Sequence, residues 1–483
     1  MYNFFYYSLL LLVLLAPLRN VVIKTLPYFN YGGFNIINIL YLILLIGILI
    51  KPKRKEKKEA LSSPQSEYQA KLLLPLILFT CYFSLQMIPA TSYTDIGSLI
   101  SNWKDSFIFM LIMYLFVSKF EMDNKRIFML LIVMCITNTY MDIYFWRWVR
   151  WMNFENFADR MKAINGTFAD IGGSNEWAAF FSNFTLPIFA VFGTFKKKIV
   201  NQLLRGLAIC NVFVLMFTFS RGSYLGFVCG ALVLLLRKKK YFIIVLLCAL
   251  PVAYQTILPQ SVTQRIEMTS KTNQSGEVTD QDVESRLAMW RVAGQMFISS
   301  PLIGHGMGSF RYHGWNNPHN QHLHFLVQGG LIGYLLFVWI FVAAHQDARH
   351  LARVAKDDFS KNFAFGCSTM LLSNFIANFF GDRFNYYPLH SYFFTLLGLL
   401  IVLIRNSNRQ TAELADTPET LPPPYQHRLP PSRRREMMLK PAEGQLDSES
   451  VRTTPLLPRG NRDDRTRMPT DSSSATAPRR RTS

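Results

Sequence analysis

Charged residues are scarce in this chain. Asp, Glu, Lys and Arg make up only 17% of its 483 residues, whereas 50% are hydrophobic and 14% are aromatic. Soluble globular domains carry about 25% charged residues. The apolar residues fall in blocks long enough to cross a bilayer, which indicates an all-α, polytopic integral membrane protein rather than a soluble fold.

Cysteine is also rare, and nothing in its spacing points to a disulfide or a metal. The six cysteines show no CxxC pair and lie in apolar blocks, where thiols behave as small hydrophobic side chains. The net charge of +20 would suggest nucleic acid for a soluble protein. Here Lys and Arg lie mainly in short loops beside apolar segments, as the positive-inside rule expects, so no nucleic-acid partner is predicted.

Apolar segments predict about 12 transmembrane helices. Several are shorter than the roughly 20 residues that a span needs, so their ends must extend into the adjoining loops. The segments are 4–18, 34–50, 72–88, 107–117, 127–140, 177–195, 203–219, 224–236, 241–254, 331–344, 363–380 and 392–404.

The basic run 51–58 predicts which side of the membrane each loop faces. So dense a cluster of Lys and Arg in a short loop should stay cytoplasmic. Alternation from there places both termini in the cytoplasm and residues 142–176, 220–222 and 381–390 outside. It also predicts one long extracytoplasmic loop, 255–330, that contains helices.

Two regions differ in composition. Residues 1–405 form the predicted membrane domain, and residues 406–483 are rich in Pro, Arg, Ser and Thr with few large apolar side chains. Such a segment buries too little apolar surface to offset the entropy lost on ordering, which predicts a disordered cytoplasmic tail.

The longest polar interruption, residues 284–334, gathers arginines, histidines and glycines. Residues 284–298 have helical periodicity, with Arg286 and Arg291 near the edge of the apolar face. A helix of this kind could equally lie along the membrane surface. The glycine-rich residues 304–308 lack the Lys-Ser/Thr of a nucleotide-binding loop, so no nucleotide site is predicted.

Ser220-Arg221-Gly222 stands between two apolar runs. A guanidinium so close to hydrocarbon is unfavourable unless it meets an anion or carbonyl oxygens. Arg221 could snorkel to the interface. Alternatively, its paired donors suit the oxygens of a lipid-borne phosphate, which predicts a phosphate clamp.

His319 lies at the start of a more apolar segment within the polar stretch 284–334. In a helix His319 and His322 would share a face, but no Asp, Glu or Cys at suitable spacing completes a metal site, so no metal or cofactor is predicted. A neutral imidazole near the outer leaflet is suited to take a proton from an attacking hydroxyl.

Together these motifs resemble the O-antigen ligase and polymerase superfamily of bacterial envelope glycosyltransferases. Its ligase and protein O-oligosaccharyltransferase branches carry His, then Asn/Ser/Gln, nine residues, Gly, two residues, Gly, and Gly/Thr/Tyr. His319, Asn320, Gly330, Gly333 and Tyr334 fit this pattern without a gap.

Four further motifs add to the resemblance, which spans roughly residues 166–334. Gln328 departs from the family, since many members carry Glu two residues before the first motif glycine. The matching motifs are Arg286 with Trp290, the turn 301–306, residues 220–222, and residues 166–168 before Asn175.

The resemblance implies transfer of a glycan from a polyprenyl diphosphate carrier to an acceptor hydroxyl on a glycan or lipid, without a metal. The reaction would take place at the periplasmic face of the bacterial inner membrane, in lipopolysaccharide or surface polysaccharide biosynthesis. Arg221 and Arg286 would clamp the diphosphate, and His319 would orient or deprotonate the acceptor hydroxyl. Further substrate-binding candidates are Asn320, Arg160, Arg291, Arg311 and Gly330.

Several alternatives stay open within and beyond this superfamily. Ligase, polymerase and protein O-glycosylation differ in the acceptor, which the sequence does not identify. A lipid-linked oligosaccharide flippase would also have about twelve spans. Transport requires charge near the middle of the membrane, whereas the predicted spans contain almost none.

Overall fold

Helices make up the regular structure of the chain. The computed structural model describes residues 2–19, 22, 35–50, 68–92, 94–149, 174–244, 263, 281–314 and 317–416, and no β-strand occurs in these ranges. The all-α prediction is therefore confirmed for this part of the chain. The predicted basic run 51–58, Arg160, residues 166–168, most of the predicted span 241–254 and residues 417–483 lie outside the described residues.

The α-helices are numbered in chain order. They are α1 Tyr2–Leu15, α2 Ile36–Leu49, α3 Leu73–Leu85, α4 Met87–Ala90, α5 Ile96–Trp103, α6 Phe109–Lys119, α7 Asn124–Val149, α8 Ser174–Val191, α9 Lys198–Phe217, α10 Arg221–Arg237, α11 Gln281–Ser299, α12 Gln321–Val354, α13 Asp358–Ala377 and α14 Tyr387–Asp416.

Seven helical stretches of the described residues are long and apolar enough to cross a membrane. This confirms an integral membrane protein. Two shorter apolar helices, Asn3–Leu18 and Ile36–Leu49, accompany them. The seven are Leu73–Ala90, Ile96–Lys119, Asn124–Arg147, Lys198–Phe217, Gln321–Val354, Asp358–Phe380 and Tyr387–Thr411.

Helix α14 is the central helix of the bundle. Every residue from 387 to 404 is buried, and the helix packs against α6, α8 and α12. A helix that is buried on all sides needs an apolar surface all round, which its run of Leu, Ile, Val and Phe provides.

Glycines allow α10 to approach α13 closely. A Cβ on Gly222 would lie 2.3 Å from the Cβ of Phe380, and one on Gly226 would lie 2.5 Å from the carbonyl oxygen of Ser373. In membranes, helices associate through such small residues because lipid gives them little hydrophobic driving force. This packing brings the start of α10 next to the connection between α13 and α14.

Three helices extend beyond the apolar segments that predicted them. Helix α7 continues to Val149, so Asp142 lies within a helix rather than in an outer loop. Its neighbours explain this, because Asp142 is buried beside the amides of Asn138 and Asn211. Helix α12 begins at Gln321 rather than near residue 331, and α14 runs to Asp416, past residue 405.

Candidate functional site

A break at Gly330 divides α12 into two parts. Gly330 has φ 60° and ψ −162°, which interrupts the helical hydrogen bonds. The turn 301–306 satisfies the four backbone groups that the break exposes. The N–H groups of His305 and Gly306 donate to the oxygens of Val327 and Gln328, both at 2.9 Å, and those of Leu331 and Ile332 donate to Pro301 and Leu302 at 2.8 and 3.2 Å.

Two glycines make this crossing possible. A Cβ on Gly330 would lie 2.4 Å from the carbonyl carbon of Leu302, and one on Gly304 would lie 2.5 Å from that of Gln328. Only glycine permits so close an approach of two backbones. The structure thus places Gly330, a predicted substrate-binding residue, against the backbone of the turn.

The end of α3 holds the same crossing. The hydroxyl of Tyr82 donates to the carbonyl oxygen of Gly329 at 2.8 Å, and the amide of Gln86 donates to that of Ile303 at 2.9 Å. The N–H of Met307 in turn donates to the carbonyl oxygen of Gln86 at 3.0 Å. The glycine motifs of the sequence therefore form a rigid base for the segment that follows them.

His319 lies exposed immediately before α12, in a strained backbone conformation. Its φ is 49°, and its N–H donates to the Asn317 side-chain oxygen at 3.1 Å. Asn320 caps the helix, because its side-chain oxygen accepts from the N–H groups of His322 and Leu323 at 3.0 and 3.1 Å. Strain of this kind concentrates at functional sites.

Phe219 repeats the arrangement at the other candidate motif. Among the described residues, only Phe219, Lys239 and His319 are non-glycine residues with positive φ. Phe219 precedes Ser220, the N-cap of α10, just as His319 precedes Asn320, the N-cap of α12. Both predicted motifs therefore stand at helix starts whose entry angle is set by a left-handed residue.

Helix α11 packs against the start of α12. The indole N–H of Trp290 donates to the carbonyl oxygen of Pro318 at 2.9 Å, and Met289, Ala293 and Val327 are buried between the two helices. This contact attaches the helix that carries Arg286 to the turn that carries His319. Arg286 is half-buried, whereas Arg291 and Arg311 are exposed.

Arg383, in the connection between α13 and α14, is a residue that sequence reasoning missed. Its side chain is only 2% exposed. Its guanidinium donates to the hydroxyl of Ser220 at 3.0 Å and to that of Ser223. Ser220 donates in turn to the side-chain oxygen of Asn175 at 2.8 Å, and so makes no side-chain cap for α10.

Electrostatics link Arg383 to the predicted Arg286. Burial lowers the pKa of Arg383 to about 10, the Glu176 carboxylate opposes this shift, and the positive charge of Arg286 adds to it. The group therefore stays charged at neutral pH. One positively charged cluster is thus formed by Arg383, Arg286 and the half-buried Arg221 at the start of α10. Because it is suited to bind an anion, we call these three arginines and Ser220 the anion cluster.

The same connection supplies a carboxylate to a second histidine. Asp382 lies 3.0 Å from Nδ1 of His324, and Nε2 of His324 lies 2.5 Å from the side-chain nitrogen of Gln328. His322 instead contacts the carbonyl oxygen of Phe375 at 3.1 Å and stacks on Phe379. The signal for Asp382 and Arg383 was available in the sequence, because a Gly-Asp-Arg run stands in a short connection predicted to lie outside.

Among the described residues, no group of three or more His, Cys, Asp or Glu side chains could hold a metal ion.

Residues 206–338 match the family model of the O-antigen ligases. This segment is similar to the O-antigen ligases. The resemblance predicted from the motifs is thereby confirmed.

The match to the O-antigen ligases includes seven of the eight predicted site residues, all except Arg160, while Arg383 lies beyond it. The match indicates a ligase- or polymerase-type glycosyltransferase activity in polysaccharide biosynthesis. No curated protein matches the chain.

Proposed function

We propose that this protein transfers a glycan from a polyprenyl diphosphate carrier to an acceptor hydroxyl. The observation that carries the proposal is the anion cluster, in which Arg286 and Arg383 interact electrostatically and Arg383 binds Ser220 beside Arg221. Helix α11 connects this cluster to the turn of His319 through Trp290. The arginines suited to bind a diphosphate and the imidazole suited to accept a hydroxyl proton thus lie on adjoining segments.

The chemistry follows from these positions. The acceptor oxygen attacks the anomeric carbon of the glycan, the bond from that carbon to the diphosphate breaks, and its electron pair leaves with the diphosphate oxygen. Arg221 and Arg286 stabilise the charge that develops there, each charged hydrogen bond contributing about 1.5–3 kcal/mol. The N-terminal end of α10 adds a partial positive charge at the same place.

His319 receives the proton of the acceptor hydroxyl. An imidazole titrates near ambient pH, which suits it to general-base catalysis. Its exposed position supports access for a bulky acceptor. Arg291 and Arg311, both exposed, Asn320 and Arg160 are proposed to contact the glycan or the acceptor, and Gly330 to position the segment that carries them.

The reaction takes place at the periplasmic face of the bacterial inner membrane in this proposal. The proposed topology has about 12 spans, cytoplasmic termini, an extracytoplasmic loop 255–330 and a disordered cytoplasmic tail that follows the end of α14 at Asp416. One geometric fact supports it. Ser220, Arg286 and Arg383 come from three connections that charge alternation assigned to the same side of the membrane, and they share one cluster.

A single reconstitution experiment separates the candidate functions. The purified protein in vesicles receives a polyprenyl diphosphate glycan together with a lipid A core, a second lipid-linked glycan or a protein acceptor. Covalent product with one of these identifies a ligase, a polymerase or a protein O-glycosyltransferase, and we expect the ligase product. Movement of the intact lipid-linked glycan across the vesicle membrane without a new bond would instead identify a flippase and contradict the proposal.

A further inference from the structure

A lateral groove of about 920 Å³ runs between α7, α8 and α9, and side chains of α13 and α14 also contribute to its lining. Its lining is almost wholly apolar, and it opens on the outer surface of the bundle. The side chains at its edges are among the most exposed hydrophobic residues of the described part of the chain: Ile136 is 54% exposed, Ile143 is 62% and Leu203 is 67%.

Along α7, the lining of the groove is nearly as long as the hydrocarbon core of a bilayer. On α7 its lining runs from Phe128 to Trp146, which at 1.5 Å per helical residue is roughly 27 Å. A bilayer's hydrocarbon region is about 30 Å thick. The groove therefore suits an extended lipid chain that lies along the membrane normal.

A row of contacting aromatic rings connects Trp146, at one end of the groove, to the anion cluster. The ring of Trp146 lies 4.7 Å from that of Phe213 and 6.4 Å from that of Phe217, and Phe217 lies 6.3 Å from Phe219. Phe219 directly precedes Ser220, which binds Arg383. A continuous aromatic path thus joins the apolar groove to the groups that would hold a diphosphate.

We propose that this groove binds the isoprenoid chain of the polyprenyl diphosphate donor while the anion cluster holds its diphosphate. The inference rests on the proposed function and names the site of the carrier lipid. An ordinary phospholipid acyl chain would fit the groove in shape. The path from Trp146 to Ser220 favours instead a single ligand that has both a long apolar chain and a strongly anionic head.

Gly206 of α9 offers a variant that fills the groove without strain. It lines the groove, and apart from its own helix backbone and chain neighbours no described atom lies within 4 Å of the position that a Cβ would occupy. Gly206→Trp should therefore place its ring in the groove. The matched control is Ile209→Trp on the same helix, because Ile209 is 66% exposed and does not line the groove.

The first test compares two donors with the same diphosphate and glycan, one with a long isoprenoid chain and one with a short chain. Both donor chains already lie in hydrocarbon, so a difference between them comes from packing contacts in the groove rather than from transfer out of water. Gly206→Trp should raise KM for the long-chain donor by about tenfold or more and leave KM for the short-chain donor within about twofold. Ile209→Trp should match the wild type with both donors. An unchanged chain-length preference in Gly206→Trp, with a normal gel-filtration profile, would overturn the inference.

A second measurement does not depend on turnover. A photoreactive long-chain polyprenyl diphosphate should label residues of α7 and α9 in the wild type, and unlabelled polyprenyl diphosphate should displace it where phosphatidylethanolamine does not. Labelling that phospholipid displaces equally well would show a general lipid contact and refute the site. Labelling of the groove without transfer to any acceptor would refute the proposed function while supporting the groove, so the two failures are distinguishable.

Discussion

Arg383 keeps a charged guanidinium away from water by donating hydrogen bonds to Ser220 and Ser223. Burial of a guanidinium costs free energy unless hydrogen bonds and a nearby carboxylate compensate. The two serines and Glu176 compensate in part, since Nε of Arg383 has no hydrogen-bond partner among the described residues. Its main effect is on position, since it fixes the start of α10 and therefore the backbone of Arg221. We interpret it as a residue that orients the clamp rather than one that reacts.

Arg383→Lys tests this interpretation, because lysine keeps the charge but cannot bind both serines in the same geometry. We expect kcat of transfer to fall by about tenfold or more. The kcat of Ser220→Ala should fall less. The kcat of the double variant should be no lower than that of Arg383→Lys, with a coupling free energy on the order of 1–3 kcal/mol.

Arg409→Lys provides the control for this cycle. Arg409 lies on α14 in an exposed pair with Glu121, where ion pairs contribute little. It should leave transfer unchanged. Strictly additive effects of Arg383→Lys and Ser220→Ala would show that the two side chains act separately, contrary to our interpretation.

The break in α12 is the element on which the candidate site is built. The two halves of the helix and the turn 301–306 exchange four backbone hydrogen bonds, and α3 holds the crossing from the side. This backbone geometry does not depend on any reactive side chain. It requires glycine at the two positions where the backbones touch.

Gly330→Ala should therefore be strongly destabilising, since its positive φ alone costs about 1–3 kcal/mol and its Cβ has no room. We expect a lower Tm in detergent and loss of transfer. Gly294→Ala is the matched change in α11, where no described atom lies within 4 Å of the new Cβ. It should raise stability by about 0.5–1 kcal/mol. Equal thermal stability of the two variants would argue against the crossing as the structural base.

Trp290→Phe tests the attachment of α11 to the turn of His319. The change keeps the apolar ring and removes the N–H that donates to Pro318. We expect a Tm within a few degrees of the wild type but a reduced kcat, because Arg286 and His319 would no longer be held in register. A variant with normal kcat would show that this hydrogen bond does not organise the site.

At the scale of the whole molecule, the proposed topology predicts which ends of the helices face outward. Ser92 is exposed near Gln86, which binds the turn at Met307, and Lys356 is exposed beyond the other end of α12. In a cysteine-free background, Ser92→Cys should react with a membrane-impermeant maleimide applied to intact spheroplasts. Lys356→Cys should react only after permeabilisation. The reverse pattern would place the candidate site in the cytoplasm.

Much of this architecture follows from apolar blocks and motif spacing. The helical class, the membrane location and the family were all predicted, because long apolar runs and closely spaced glycine motifs leave few alternatives. The ends of the helices were not predicted. Asp142, for example, lies within α7 because it interacts with side-chain amides of α7 and α9, which no local sequence pattern reveals. Arg383 was missed for a similar reason: its partners Ser220 and Ser223 lie far away in the chain and meet it only through the packing of α10 on α13.

The rate of glycan transfer by the His319→Ala variant tests most directly the central claim that His319 accepts the proton of the acceptor hydroxyl. Purified wild-type protein, His319→Ala and the control His345→Ala, which changes an exposed histidine of α12, are compared for glycan transfer from a polyprenyl diphosphate donor. Loss of a general base lowers the rate by about 10²- to 10⁴-fold. We predict a loss of this size for His319→Ala with normal membrane insertion, and wild-type rates for His345→Ala. Near-normal transfer by His319→Ala would contradict the account.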